Sequence, residues 1–309
     1  MKHLFISLAL CSLTALQAQE KDTLSTEELP QPKSERIDLR IDNTLARVWE
    51  LEPQYQQGTF RFTNYRPMYA MPFRYTDVPT EQPVSLNPER PVPEWRDYQH
   101  VEMKFQVSLK GKIIQDALFG KGDLWVAFTQ QAYWQMYNGE ISRPFREINY
   151  EPELMFTYPM KLSIGNLKLR MLGLSVNHQS NGKEAAHSRS WNRLILMGAM
   201  EYRSVGIGFR FWKRFYEKEK EDDNPHIQDY IGRCEFNIFI PFKRNVFNIR
   251  LLNNLRFDHN RGLAEVAWVY PLNRDLRILF QASHGYGDSL IDYNYKQTVL
   301  GVGLTFLNL

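Results

Sequence analysis

"VEMKFQVSLK", residues Val101–Lys110, alternates apolar and polar side chains from end to end. Because a β-strand directs successive side chains to opposite faces, the stretch predicts a strand with one apolar face and one strongly polar face. The same two-residue rhythm returns in "VGIGFRFWKR" (Val205–Arg214), "FNIRLLNNLRF" (Phe247–Phe257) and "TVLGVGLTF" (Thr298–Phe306). The pattern therefore predicts a protein built from amphipathic strands.

About a dozen such segments follow one another, each of about the length that crosses a bilayer as a tilted strand. They centre near residues 60–74, 99–111, 123–136, 149–161, 166–180, 190–203, 205–216, 228–241, 246–257, 262–271, 274–285 and 296–307. Short turns alternate with longer loops at 76–98, 137–148, 181–189, 217–227 and 286–295. This alternation is typical of outer-membrane barrels, whose long loops share one mouth.

A soluble sandwich or a lipocalin-like barrel shows the same alternation and is the competing interpretation. Two observations favour the membrane. The polar face carries too many full charges for a compact dry core, and aromatic residues cluster at segment ends as in an interfacial girdle. We therefore expect an all-β fold, an antiparallel transmembrane β-barrel with short periplasmic turns and longer extracellular loops.

The chain termini and the overall charge restrict the class of protein further. Lys2 and His3 precede the apolar run "LFISLALCSLTAL", which predicts a signal peptide over residues 1–18. Residues 19–58 lack the alternation and are expected to form a periplasmic extension or plug before a barrel over residues 59–309. A net charge of +3 on 309 residues argues against a nucleic-acid partner. The acidic block "EKEKEDD", Glu217–Asp223, is interpreted as a solvated loop.

Polar residues interrupt the apolar face in "SVNHQSNGKEAAHSRSWNRL", Ser175–Leu194. His178 and Ser180 share the parity of the apolar residues before them, so they are expected to point outward. Asn192 shares the parity of the apolar residues that follow it on the next strand. Since the loop 181–189 joins two antiparallel neighbours, His178 and Asn192 can lie side by side on the outer surface.

These three side chains form a usable Ser-His-Asn set. Ser180 can give its proton to His178, whose ring Asn192 can orient through its carbonyl oxygen. Asn192 is neutral and stabilises an imidazolium less than a carboxylate does, so a metal at the oxyanion would compensate. The same residue types are also common at strand ends without any catalytic role, and pattern alone leaves both interpretations open.

"HQSNG" (178–182) followed by "SRSWNR" (188–193) resembles the active-site signature of the bacterial outer-membrane phospholipase A family. The segments "YWQ", "PFREINYEP", "DDNP" and "GYGDSLIDYNYKQT" resemble family segments in the same order, and the likeness covers roughly residues 59–307. The resemblance implies a twelve-stranded barrel of the bacterial outer membrane. It also implies an enzyme with both phospholipase A1 and phospholipase A2 activity, which hydrolyses sn-1 and sn-2 esters of phospholipids and lysophospholipids. The resemblance further implies that the enzyme needs calcium and is active as a homodimer.

The resemblance assigns roles to individual positions. Ser180 becomes the nucleophile, His178 the general base and Asn192 its orienting partner. One Ca²⁺ per active site is expected at the dimer interface, held by Ser188, by the Lys183 backbone carbonyl where the family usually has arginine, and by Ser142 of the partner subunit.

Gln130 supports a dimer on independent grounds. It shares the parity of Leu124, Val126 and Phe128, which places an amide on the lipid face. An unpaired amide in hydrocarbon is costly, and a twin across a two-fold axis would satisfy it, although headgroups could do so as well. The resemblance favours the dimer.

Two rival functions remain: a passive barrel such as a porin or adhesin, and an esterase that acts on another membrane acyl lipid, for instance a lipid A acyl ester. About twelve strands with charged interior side chains leave little open channel, which argues against a pore.

Overall fold

The structure is a computed structural model that describes residues 41–273 and 276–305. The predicted signal peptide over residues 1–18 lies outside the described residues, as does the predicted extension up to residue 40. None of the helices in the described ranges has the length and apolar character needed to cross a membrane.

Two α-helices and thirteen strands make up the described part of the chain. They are α1 Ile41–Val48, β1 Phe62–Asn64, β2 Tyr69–Thr76, β3 Val101–Ile114, β4 Asp123–Trp134, β5 Phe145–Ile164, β6 Leu167–Ser180, β7 Ser190–Tyr202, β8 Val205–Arg214, α2 Ile227–Tyr230, β9 Cys234–Phe242, β10 Asn245–Asn253, β11 Gly262–Pro271, β12 Arg277–Tyr286 and β13 Lys296–Thr305. Single 3₁₀ turns occur at Pro53–Tyr55 and Ala185–His187.

The strands close into an antiparallel barrel. β1 and β2 both pair with β3, β1 through Phe62↔Gly111 and β2 through Tyr69↔Gln106, so together they form one interrupted strand of the wall. β2 then pairs with β13, and β3 pairs with β4, which closes the ring. The described chain is thus the twelve-stranded barrel that the sequence and its resemblance predict.

The connections fall into two sets at opposite rims of the barrel. The long-loop rim carries 77–100, 135–144, 181–189, 215–233, 254–261 and 287–295. The short-turn rim carries 115–122, 165–166, 203–204 and 243–244, together with the described residues 272, 273 and 276 between β11 and β12. The predicted strands occur in the predicted order. β5 begins four residues earlier than predicted, inside the predicted loop 137–148, and β10 ends at Asn253 and not at residue 257. The bounds differ most at β9, which begins at Cys234 and not near residue 228. Residues Ile227 and Ile231 are both buried there, and the chain between them forms α2.

The two faces of the wall follow the alternation of the sequence. In β3, the apolar side chains of Val107 and Leu109 are exposed on the outside, whereas Lys104, Ser108 and Lys110 are buried in the lumen. The outer face is therefore apolar and suits a bilayer, and the polar face is turned inward.

Ion pairs fill the lumen. The carboxylate of Glu151 lies 2.9 Å from Arg66 and 3.0 Å from Arg193, and that of Glu153 lies 2.9 Å from Arg210. Pairing of this kind offsets the cost of removing charged groups from water.

Both ends of the lumen are also occupied. At the long-loop rim, the connection 287–295 folds inward and buries Leu290, Asp292 and Tyr293, with Asp292 2.6 Å from Arg146. Towards the other rim, Trp49 packs edge-to-face against Trp125 of the inner core, and Lys110 Nζ donates to the Val48 carbonyl at 2.6 Å. The barrel is therefore a solid wall around a filled interior.

Candidate active site

β6 and β7 bring the predicted catalytic side chains together at the long-loop rim. The two strands are antiparallel neighbours in which His178 stands opposite Asn192 and Ser180 opposite Ser190. Asn177, which has the opposite parity to His178 and Ser180, is fully buried in the lumen. His178, Ser180 and Asn192 consequently lie on the outer face, half-buried, where the parity of the sequence predicts them.

The imidazole of His178 is held by Asn192. Nδ1 of His178 lies 2.9 Å from Oδ1 of Asn192, the distance of a good hydrogen bond. An amide oxygen only accepts, so Nδ1 carries the proton and Nε2 is left to accept one. This tautomer is the one that a general base requires.

The hydroxyl of Ser180 shares this face but forms no hydrogen bond to His178 in the structure, or to any other described residue. Alternate residues of a strand have Cα atoms about 6.6 Å apart, so a serine and a histidine on one face can meet by side-chain rotation. The structure thus contains an oriented base, His178, and a hydroxyl two residues away on Ser180. A side-chain rotation is needed to bring the two into hydrogen-bonding contact.

Asn181, to which the sequence pattern assigns no role, organises the loop 181–189. Its Oδ1 accepts from the backbone N–H groups of Lys183 at 3.3 Å and Arg189 at 3.0 Å, and its Nδ2 donates to the His187 carbonyl at 2.7 Å. Asn181 is 3% exposed. Because Asn181 lies inside the quoted motif "HQSNG", a search for a side chain able to brace the loop could have found it.

Lys183 lies in this loop with its side chain turned away from the outer surface. Its ammonium donates to the Arg146 carbonyl and lies 3.3 Å from the Glu147 carboxylate. The backbone carbonyl of Lys183 accepts no hydrogen bond from the described residues. A free carbonyl at this position is what the predicted calcium ligand requires.

Ser188, the second predicted ligand, is paired with a carboxylate. Its hydroxyl donates to Oδ2 of Asp223 at 2.5 Å. Asp223 is the last residue of the acidic block 217–223, which is predicted to be a solvated loop; residues 218–221 are exposed, and Asp222 and Asp223 at its end are paired with arginines. Asp222 and Asp223 are half-buried, because Arg214 binds the first at 2.6 Å and Arg90 lies 2.6 Å from the second.

The remaining predicted residues lie on the outside of this barrel. Ser142 is exposed in the connection 135–144, in the left-handed region at φ 64°. Gln130 is half-buried on the outer face of β4, opposite Val107 on one side and Tyr150 on the other. Its amide forms no hydrogen bond to any described residue, so the structure leaves it unsatisfied at an apolar surface.

The oxygen atoms of Ser188, Lys183 and Asp223 are the candidate ligands for a cation in this part of the chain. Within the described ranges, no group of three or more His, Cys, Asp or Glu side chains is arranged to hold a metal ion. The donors present are the Ser188 hydroxyl, the Lys183 carbonyl and the nearby Asp223 carboxylate. Hydroxyl, carbonyl and carboxylate oxygens are the ligands that Ca²⁺ prefers, so this donor set fits calcium.

Comparison with known proteins identifies close relatives. The family model described as phospholipase A1 matches residues 45–306. A putative phospholipase A1 of Neisseria meningitidis serogroup B is 36% identical over 278 residues, which cover 87% of this chain and 71% of the relative.

Two solved structures share the barrel. The calcium-bound dimer of the Salmonella typhi outer membrane phospholipase matches with a TM-score of 0.74 and 29% identity, covering 84% of this chain and 96% of that one. An Escherichia coli outer membrane phospholipase A carrying an asparagine-to-alanine active-site mutation matches with a TM-score of 0.73 and 29% identity, over the same shares of the two chains.

Proposed function

This chain belongs to the phospholipase A1 family, and on that premise we propose that it is a calcium-dependent phospholipase A of the bacterial outer membrane. In this proposal it hydrolyses sn-1 and sn-2 acyl esters of phospholipids and lysophospholipids. The observation that carries the proposal is the hydrogen bond of 2.9 Å between His178 and Asn192 on the outer face, beside the hydroxyl of Ser180. That face meets acyl chains and not the lumen.

The first half of the reaction forms an acyl-enzyme. Nε2 of His178 takes the proton of Ser180 as its oxygen attacks the ester carbonyl carbon. Asn192 keeps the imidazolium in place through the bond to Nδ1. His178 then gives the proton to the departing alcohol oxygen, and the lysophospholipid leaves while the acyl group stays on Ser180.

The second half releases the fatty acid. His178 removes a proton from water as the water oxygen attacks the acyl carbon, and the bond from that carbon to the Ser180 oxygen breaks. The proton returns to Ser180. An active-site asparagine in the E. coli relative supports the orienting role that we propose for Asn192.

The donor set on this chain is suited to one calcium ion per active site. The ligands would be the Ser188 hydroxyl, the Lys183 carbonyl and Ser142 of the partner subunit. Calcium, when bound, would supply positive charge for the developing oxyanion, which a neutral Asn192 does not compensate. The calcium-bound dimer of the S. typhi relative supports this part of the proposal.

A homodimer in the outer membrane would also satisfy Gln130. Its unpaired amide at an apolar surface would find a partner in the same residue of a second barrel, and the site would gain the exposed Ser142 of the partner subunit. In this arrangement the acyl chains lie in the crevice between the two barrels.

Fatty-acid release from defined phospholipids in detergent tests the proposal. Wild type with calcium is expected to release fatty acid, whereas Ser180→Ala with calcium and wild type with chelator are not. Mass spectrometry of the lysophospholipid products identifies which of the two ester positions is cleaved.

Equal release by wild type and Ser180→Ala would remove the enzymatic interpretation and leave a passive barrel. Release that is confined to lipid A acyl esters would keep the chemistry and reject the phospholipid substrate.

A further inference from the structure

Two connections of the long-loop rim meet beside Ser188. From the connection 77–100, Asn87 Nδ2 donates to the Asp222 carbonyl at 2.7 Å and to the Glu219 carbonyl at 3.0 Å. Ser85 Oγ donates to the Asp223 carbonyl at 2.7 Å. Asn87 is 2% exposed, so these bonds are protected from water and fix the backbone that carries Asp223.

The same backbone is also fixed from β8 and β7. The guanidinium of Arg214 at the end of β8 donates to both carboxylate oxygens of Asp222, at 2.6 and 3.0 Å. Asn224 Oδ1 accepts from the backbone N–H of Ser190 at 2.8 Å, and Ser190 stands opposite Ser180. Asp223 therefore has a defined position relative to the nucleophile.

The two oxygens of the Asp223 carboxylate have different partners. Oδ2 accepts from the Ser188 hydroxyl at 2.5 Å. Oδ1 is buried and accepts no hydrogen bond in the described structure, but Nη2 of Arg90 lies 2.6 Å from it. That nitrogen also donates to the Glu221 carbonyl at 3.2 Å, and its contact with Oδ1 is an ion pair.

We propose that Arg90 is a positioning residue that weakens calcium binding at Ser188 by neutralising the Asp223 carboxylate. The inference rests on the proposed calcium site and adds a control on its affinity. A cation held by the Ser188 hydroxyl lies beside the Asp223 carboxylate, which attracts it. Arg90 contacts that carboxylate, cancels its charge and repels the cation as well.

This arrangement has a definite electrostatic consequence. Removal of a unit positive charge from beside the site, in a water-like dielectric, strengthens the binding of a divalent cation on the order of fivefold. The effect is expected to shrink as salt is added, since the guanidinium and the carboxylate are both partly exposed. A purely structural contact would show neither the gain nor the salt dependence.

Calcium titration calorimetry of the full chain in detergent micelles measures the affinity directly. Arg90→Gln, which keeps amide donors but removes the charge, is expected to lower the calcium Kd on the order of fivefold at low salt. Arg90→Lys keeps the charge and serves as the matched control, with a Kd near that of wild type. Ser188→Ala identifies the binding event, because the heat of binding at this site should disappear.

The outcomes separate the inference from the proposed function. A Kd for Arg90→Gln that is equal to or higher than that of wild type, with the Ser188-dependent heat intact, overturns the role of Arg90 and leaves the phospholipase proposal standing. A lower Kd for both Arg90→Gln and Arg90→Lys also overturns it, because charge would not be the cause. Loss of any Ser188-dependent binding in wild type overturns the calcium proposal together with this inference.

Discussion

Removal of the Asn192 side chain should lower the rate of catalysis without disturbing the barrel wall, since the proposed role of this residue is to orient His178. In Asn192→Ala the bond of 2.9 Å to Nδ1 of His178 is lost, while the backbone pairing between β6 and β7 is retained. In the transition state this bond joins a neutral amide to an imidazolium. Hydrogen bonds to charged groups contribute about 1.5–3 kcal/mol. At about 1.36 kcal/mol per factor of ten, kcat should fall about 10- to 160-fold.

The matched control is a bond of the same kind elsewhere on the outer face. Asn245 Oδ1 accepts from the indole N–H of Trp268 at 2.9 Å, across β10 and β11 at the short-turn rim. Asn245→Ala removes the same kind of hydrogen bond, from an aromatic N–H to an asparagine side-chain carbonyl, and should leave kcat unchanged. Both variants are assayed for fatty-acid release with saturating calcium, and the folded barrel is verified for each by its mobility on gels without heating.

Two results would refute this reasoning. If Asn192→Ala kept kcat within twofold of wild type, the bond would have no orienting role. If Asn245→Ala lost as much activity as Asn192→Ala, the loss would reflect damage to the barrel and not to the site.

Further predictions concern the dimer, the loop and the lumen. Gln130→Leu should weaken dimerisation by about 0.6–1.7 kcal/mol, which corresponds to a rise of about three- to twentyfold in the dimer dissociation constant measured by sedimentation. An unchanged dissociation constant would show that the Gln130 amide does not contribute to the interface. Asn181→Leu should lower kcat at least about tenfold, because the loop 181–189 loses the hydrogen bonds that hold it, and proteases should cleave that loop faster than in wild type. Cleavage of the variant at the wild-type rate would contradict this. Burial alone would raise the pKa of Asp288, but Arg74 and Lys104 hold it well below its usual value. Its stabilising contribution is therefore present above about pH 4 and is lost as pH falls further, so Asp288→Asn should flatten the loss of unfolding free energy in acid.

The strands could be predicted from sequence because alternation is a local property of each segment. The outward placement of Ser180, His178 and Asn192 follows from the same parity. The predicted start of β9 is wrong because Ile227 and Ile231 are four residues apart, a helical spacing that the two-residue pattern obscures. Both side chains join the core of the barrel, and that burial favours the short helix.

The surroundings of Ser188 could not be predicted in the same way. Asp223 contacts Ser188 from 35 positions away, and Arg90, which contacts Asp223, lies more than 130 positions before it in the chain. These contacts depend on how three connections fold together over one rim, and no local pattern encodes that. The segment "DDNP", which includes Asp223, is part of the resemblance, but the resemblance assigns Asp223 no role.

The position of Ser180 and His178 on the outside of the wall has a consequence for kinetics. A lipid hydrolysed there arrives by lateral diffusion in a two-dimensional phase. The quantity that saturates the enzyme is then the mole fraction of substrate in the surface and not its molarity in bulk solution. Dilution with an inert detergent at a fixed total amount of phospholipid should therefore slow turnover, as in surface-dilution kinetics.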